Sequence, residues 1–79
     1  MPRFFFDIHL RHGTIADPEG SELPDLPTAE REALVSLRQI LGDLLRGSGP
    51  VEVQQIKIAN GAGQVLAAVQ LEDAIRNVR

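Results

Sequence analysis

Asp25-Leu26-Pro27-Thr28-Ala29-Glu30-Arg31-Glu32-Ala33-Leu34-Val35-Ser36-Leu37-Arg38-Gln39-Ile40-Leu41-Gly42-Asp43-Leu44-Leu45-Arg46 is the stretch on which the fold turns. Leu26, Ala29, Ala33, Leu34, Leu37, Ile40, Leu41, Leu44 and Leu45 recur at steps of three and four, the stripe of an amphipathic helix. Arg31, Glu32, Arg38, Gln39, Asp43 and Arg46 take the other side. Pro24 keeps the residue before it extended, Asp25 is a good N-cap, and Pro27 is tolerated in a first turn whose N–H groups lack partners. Gly47 stands where a C-cap belongs, and Ser48-Gly49-Pro50 stops any continuation. Such a helix is a rod of about 30 Å, longer than a seven-residue strand of about 23 Å, so it crosses a sheet diagonally with its last turn overhanging. Burying five of its large aliphatics would contribute about 8–15 kcal/mol gross, before chain entropy is subtracted.

Strands flank the helix on both sides. Over Arg3–Leu10, Phe4, Phe6, Ile8 and Leu10 alternate with Phe5, Asp7 and His9, the period of a half-buried strand. Arg11-His12-Gly13 has the chemistry of a reversal, with Gly13 free to take a positive φ. A second strand over about Thr14 to Asp17 then returns, with Ile15 expected across from Leu10. Asp17-Pro18-Glu19-Gly20 reads as a turn, and Ser21 to Leu23 either extends the second strand or forms a short third one.

After the helix, the segment Val51 to Ala59 has a phase fault. Val51 and Val53 share one parity, Ile56 and Ile58 the other. A β-bulge near Gln54-Gln55 would restore a single apolar face, because one extra residue flips the side chains; otherwise the strand is apolar on both faces. Asn60-Gly61-Ala62-Gly63 reads as a hairpin loop, with Asn-Gly suited to left-handed backbone. In the last strand, Gln64 to Leu71, Val65, Ala67, Val69 and Leu71 share one face and Leu66 and Ala68 the other. Glu72 to Arg79 reads as a polar end with one helical turn through Ile75 and Val78.

The expected architecture is a single small α+β domain over residues 1–79, β-β-α-β-β, with a mainly antiparallel sheet and one long amphipathic helix on one face. One helix covers one face only. Phe5, Leu66 and one half of Val51 to Ala59 are then left on the open face or at an edge, which marks an interface. A homo-oligomer built on Phe5 and Leu66 is the expected state, with room for a different protein partner.

Composition narrows the chemistry. The 79 residues lack cysteine, which removes disulfides, thiolate metal sites and cysteine nucleophiles. No apolar run approaches the roughly 18 residues of a membrane span, and Met1-Pro2-Arg3 is not followed by a signal-peptide core. A soluble, cytoplasmic, membrane-independent protein is expected. Eight basic against eleven acidic side chains, net −3, argue against general nucleic-acid binding, and no aromatic outside Phe4 to Phe6 offers a stacking platform.

Individual residues give little catalytic signal. Asp7 and His9 share a strand face, and with His12 and a carboxylate from Asp17 or Glu19 they would make a zinc or small-ligand site. The competing reading is a solvated His9 and a turn-forming His12, because the spacing matches no ligand motif. Six carboxylates from Asp17 to Glu32 face only Arg31: either a docking surface for a basic partner or, as the dipole argument favours, helix-start and turn decoration. Ser21, Ser36 and Ser48 lack a nucleophile-elbow setting, and Gly61-Ala62-Gly63 leads into a strand rather than a phosphate-binding helix. No catalytic residue, metal ligand or cofactor is expected.

Met1-Pro2-Arg3-Phe4-Phe5-Phe6-Asp7 resembles the opening Met-Pro-Arg-Phe/Tyr-Phe-Phe-Asp of a family of short uncharacterised proteins common in rhizobia and related alpha-proteobacteria. Gly13, Asp17 to Gly20, Leu23-Pro24-Asp25-Leu26 and Arg31-Glu32-Ala33 extend the likeness, as do the closing strands, so it spans nearly the whole chain. The resemblance implies a domain of unknown function and brings no catalytic residues with it. Pro24 to Pro27 is also similar to a Pro-Asp-Leu-Pro segment of bacterial antitoxin domains, in which more chain separates that segment from the helix. That likeness implies a nucleic-acid-linked regulator, whose binding would be salt-sensitive.

Overall fold

A computed structural model describes residues 1–47 and 52–76, without the side chains of Leu44, Leu45 and Arg76. Among the described residues, five strands and two helices run β1 (Arg3–Leu10), β2 (Gly13–Ile15), β3 (Ser21–Glu22), α1 (Leu26–Arg46), β4 (Val53–Ala59), β5 (Val65–Gln70) and α2 (Leu71–Arg76). All pairings are antiparallel, in the order β2-β1-β4-β5, with β3 also on β1. This is the α+β arrangement expected, with one long helix against the sheet.

The helix begins as its sequence dictates. Asp25 caps it, its Oδ1 accepting from Thr28 N at 2.9 Å, and its carbonyl accepts from Ala29 N at 3.2 Å. At the other end Gly47 N donates to the Asp43 carbonyl at 3.2 Å. The roles expected of Ser48-Gly49-Pro50, Val51, Val78 and Arg79, and of the Leu44 and Leu45 side chains, lie outside what is described.

The core differs from the expected one. Ala29, Ala33 and Leu37 are fully buried, whereas Leu26, Leu34 and Ile40 are only partly so. Among the described helix residues one large aliphatic, not five, is sealed. Two alanines a turn apart let the rod lie close on the larger sheet residues Phe4, Val53, Ile56, Ile58 and Val69. Nor is the end of the chain merely polar: Ala74 of α2 is fully buried in the same cluster. Gln70 N donates to Asp73 Oδ2 at 3.1 Å, half of a capping box that starts this helix at Leu71, so the strand ends one residue earlier than expected.

Two bulges set the faces. His9 pairs with Gln55 and Leu10 with Val53, so Gln54 is the extra residue that brings Val53 onto the face of Ile56 and Ile58, as the phase fault demanded. The second bulge has no such signature. Ile58 pairs with Ala67 and Ala59 with Val65, leaving Leu66 extra, so Val65 departs from the Ala67–Val69 face and is 53% exposed.

The other edge of the sheet is built differently from the expected hairpins. The reversal is confined to Arg11-His12, so Leu10 pairs with Gly13 and Ile15 meets Ile8, not Leu10. Gly13 needs no left-handed backbone; the positive φ values fall at Gly20 (72°) and Gly63 (83°). Asp17 to Gly20 does not turn the chain back. Unbroken register from Ile8–Ile15 would set Phe4 against Glu19, yet Phe4 faces Ser21. The segment is thus a two-residue interruption in one edge that continues along β1 as β3.

Candidate functional site

The open face of the sheet is where Phe5 and Leu66 were expected to create an interface, and the register gives its composition. Phe5, Ala59 and Val65 form one row across β1, β4 and β5; Asp7, Lys57 and Ala68 the next; His9, Gln55 and Gln70 a third. The face is therefore apolar at one end and polar along the rest. Gln70 Nε2 donates to Gln55 Oε1 at 2.8 Å across the third row. The apolar half of Val51 to Ala59 expected on this face is absent, because the bulge at Gln54 puts Val53, Ile56 and Ile58 together under the helix.

At the apolar end a shallow groove of about 300 Å³ lies between Phe5, Asp7, Asp17, Ala59, Asn60 and Val65. Phe5 is half-buried there. Its ring lies over Gly20, so that a Cβ on this glycine would sit 3.0 Å from Phe5 Cε2 and 2.9 Å from both the Phe4 carbonyl oxygen and Arg3 Cγ. Leu66 is 38% exposed. The two interface candidates are thus at the same end of the sheet, with Val65, not Leu66, in the row of Phe5.

The carboxylates beside the groove are occupied by the backbone. Asp17 stands where β2 has ended, and its Oδ2 accepts from Phe6 N at 3.2 Å in place of a strand carbonyl. Its Oδ1 accepts from Gly20 N at 3.1 Å and Glu19 N at 3.3 Å. Asp7 Oδ1 accepts from Asp17 N at 3.0 Å. Partial burial raises the Asp17 pKa, but the three amide bonds from Gly20, Phe6 and Glu19 outweigh it, and the carboxyl lies below its ordinary value. These groups hold an interrupted edge together.

Other sequence candidates are accounted for similarly. His9 Nδ1 lies 3.2 Å from Thr14 Oγ1, and His12 is exposed in the β1–β2 reversal. Among the described residues, no three His, Asp or Glu side chains, Asp7, His9 and His12 included, converge to hold a metal ion. In the acidic stretch, Glu22 pairs with Arg3 at 3.1 Å and Asp25 caps the helix, where the Thr28 side chain and backbone, with Arg31, keep its carboxyl below the usual value. Glu30 and Glu32 are exposed on α1.

The glycine loop is likewise self-contained. Asn60 Oδ1 accepts from Ala62 N at 3.0 Å and Gln64 N at 2.9 Å, so these amides are not presented to an anion. Gly63 N donates to the Asn60 carbonyl at 3.0 Å, and Gly63 takes the left-handed position assigned beforehand to Asn-Gly. A second groove, about 410 Å³, opens at the other end of the sheet between Arg11, Glu52, Gln54, Leu71 and Ile75. Nothing in the sequence pointed to it, since it depends on the Gln54 bulge and on α2 folding back.

No helix among the described residues is long and apolar enough to cross a membrane. Searches of curated proteins and of solved structures gave no match. A family match covers residues 3–72, from the first strand to the start of the last helix. The chain belongs to the family described as Domain of unknown function (DUF6894).

Proposed function

We propose that this protein is a non-enzymatic interaction module that associates with itself through the apolar end of its sheet, around Phe5, Val65 and Leu66. The observation that carries the reading is the second bulge: it leaves Val65 53% and Leu66 38% exposed on neighbouring positions of a strand at the edge of the sheet. Phe5 adds apolar surface in the adjoining groove. Contiguous apolar surface of this kind is removed from water by association, at about 25 cal/mol per Å² before the costs of binding are met. The carboxylates near the groove are bonded to backbone amides, which favours a structural role for them over acid–base work.

Sedimentation equilibrium at micromolar concentration tests this. The wild-type chain should run above the mass of one chain, and Leu66→Glu should run closer to a monomer with unchanged helical circular dichroism. A wild-type protein that is monomeric at every concentration examined removes the proposal.

A further inference from the structure

Resting on the self-association in that reading, and placing the contact at the free edge of β5 beside Val65 and Leu66 with Phe5 two strands inward, the hydrogen-bond parity of the sheet bears on how two copies would meet. Phe6 N–H points away from β4, to Asp17 Oδ2. Alternation then directs Asp7 toward β4, where it faces Lys57. Ile56 and Ile58 consequently turn their backbone groups to β5, where their partners are Val69 and Ala67. Ala68 is left with its N–H and C=O directed outward, and among the described residues no strand pairs on that side of β5. The next outward amide, Gln70 N–H, is already bonded to Asp73 Oδ2.

The two edges of the sheet contrast. The β2–β3 edge is interrupted, contains Pro18 and carries the Arg3–Glu22 pair, devices that discourage strand addition. Val65-Leu66-Ala67-Ala68-Val69-Gln70 has neither charge nor proline. We propose that β5 pairs antiparallel with β5 of a second copy across a two-fold axis at Ala68, joining two sheets into one with all helices on the same side.

Self-complementarity selects a second copy as the occupant. One residue supplies both donor and acceptor, so Ala68 facing Ala68 makes two hydrogen bonds by symmetry. The same register sets Ala67 against Val69 and Leu66 against Gln70, with no charged pair among the facing strand residues. Each copy carries net −3, and the β5 residues Val65 to Gln70 add no charge to this edge. The Asp73 carboxylates, each on its own Gln70 amide, stand two residues to either side of the Ala68 axis, about 13 Å apart along the strands and beyond the Debye length of about 10 Å at 0.1 M salt. Lys57 lies one strand inward, so the two copies' Lys57 Cα atoms are three strand spacings, about 14 Å, apart, likewise beyond the Debye length.

Cysteine cross-linking tests the axis, and the chain has no native cysteine to interfere. Facing Cα atoms in a bonded antiparallel pair lie about 5.5 Å apart, within disulfide range. Ala68→Cys should therefore oxidise to a covalent dimer. Val65→Cys, whose equivalents would be about 20 Å apart along the strands, should do so at least about tenfold more slowly. Ala68→Pro removes only an outward N–H and should sediment as a monomer with native circular dichroism. If Ala68→Pro does not fold, the two cysteine variants decide. Equal cross-linking by both, while the wild type sediments as an oligomer, overturns the β5 axis but leaves self-association standing; a monomeric wild type overturns both.

Discussion

Replacing Gly20 with alanine should be among the most damaging single-methyl changes available in this protein. Gly20 has φ of 72°, in the left-handed region where an L side chain is strained by about 1–2 kcal/mol. The new Cβ would also lie 2.9 Å from the Phe4 carbonyl oxygen, an atom fixed in the sheet, and 3.0 Å from Phe5 Cε2. Relieving such overlap costs a further 1–3 kcal/mol or so. Against this stands the stiffer unfolded chain, worth about 0.4–1 kcal/mol in favour of alanine. The net loss is about 1–5 kcal/mol, each kcal/mol lowering Tm by about 4–8 °C for a domain of this size. Urea unfolding followed by circular dichroism measures it. Gly61→Ala is the control, since its Cβ meets nothing within 4 Å and its φ is not positive, and it should stay within about 1 kcal/mol of wild type. If the two variants unfold together, the close approach of the edge segment to β1 is not what holds this end of the sheet.

Two further perturbations address the edge and the bulge. Asp17→Asn should flatten the acid limb of the stability profile. The native carboxyl is held below the ordinary 3.8, so its contribution is fully present above that value and is lost as pH falls through the lower folded pKa. Parallel acid-unfolding curves for variant and wild type would refute this. Deleting Gln54 should let Val53 follow Gln55 directly, in phase with Ile56 and Ile58 without a bulge, so Val53 stays buried and stability stays within about 1 kcal/mol of wild type; a loss of the roughly 1.5–3 kcal/mol that exposing Val53 would cost would contradict the bulge.

Which features were legible in the chain follows from the range of the forces that make them. The α1 stripe, the Asp25 cap and the alternation of β1 are written within a few residues, so periodicity and capping chemistry suffice to read them. Gln54 was readable for the same reason, because large β-branched residues on both sides of it fall out of phase. Leu66 gave no such sign. Its strand is apolar from Val65 to Val69, and a parity break among Val65, Leu66, Ala67 and Ala68 leaves no polar residue visibly misplaced. The register puts Phe5 off the covered face, as its parity in β1 says, but parity alone missed that Phe5 rests over Gly20 and that Val65, not Leu66, joins its row.

The amino-acid order alone therefore determined the long helix, the main strands, one bulge and an acidic, cysteine-free chain, all consequences of local stereochemistry and of counting. Tertiary structure decided the rest: that Asp17 to Gly20 continues an edge instead of reversing it, that Ala74 completes the core, and that Ala68 turns its amide outward at the sheet boundary. Each of these depends on which strand lies beside which. That is settled by hydrogen bonds and burial between residues far apart in the chain, and neighbours in sequence do not carry the information.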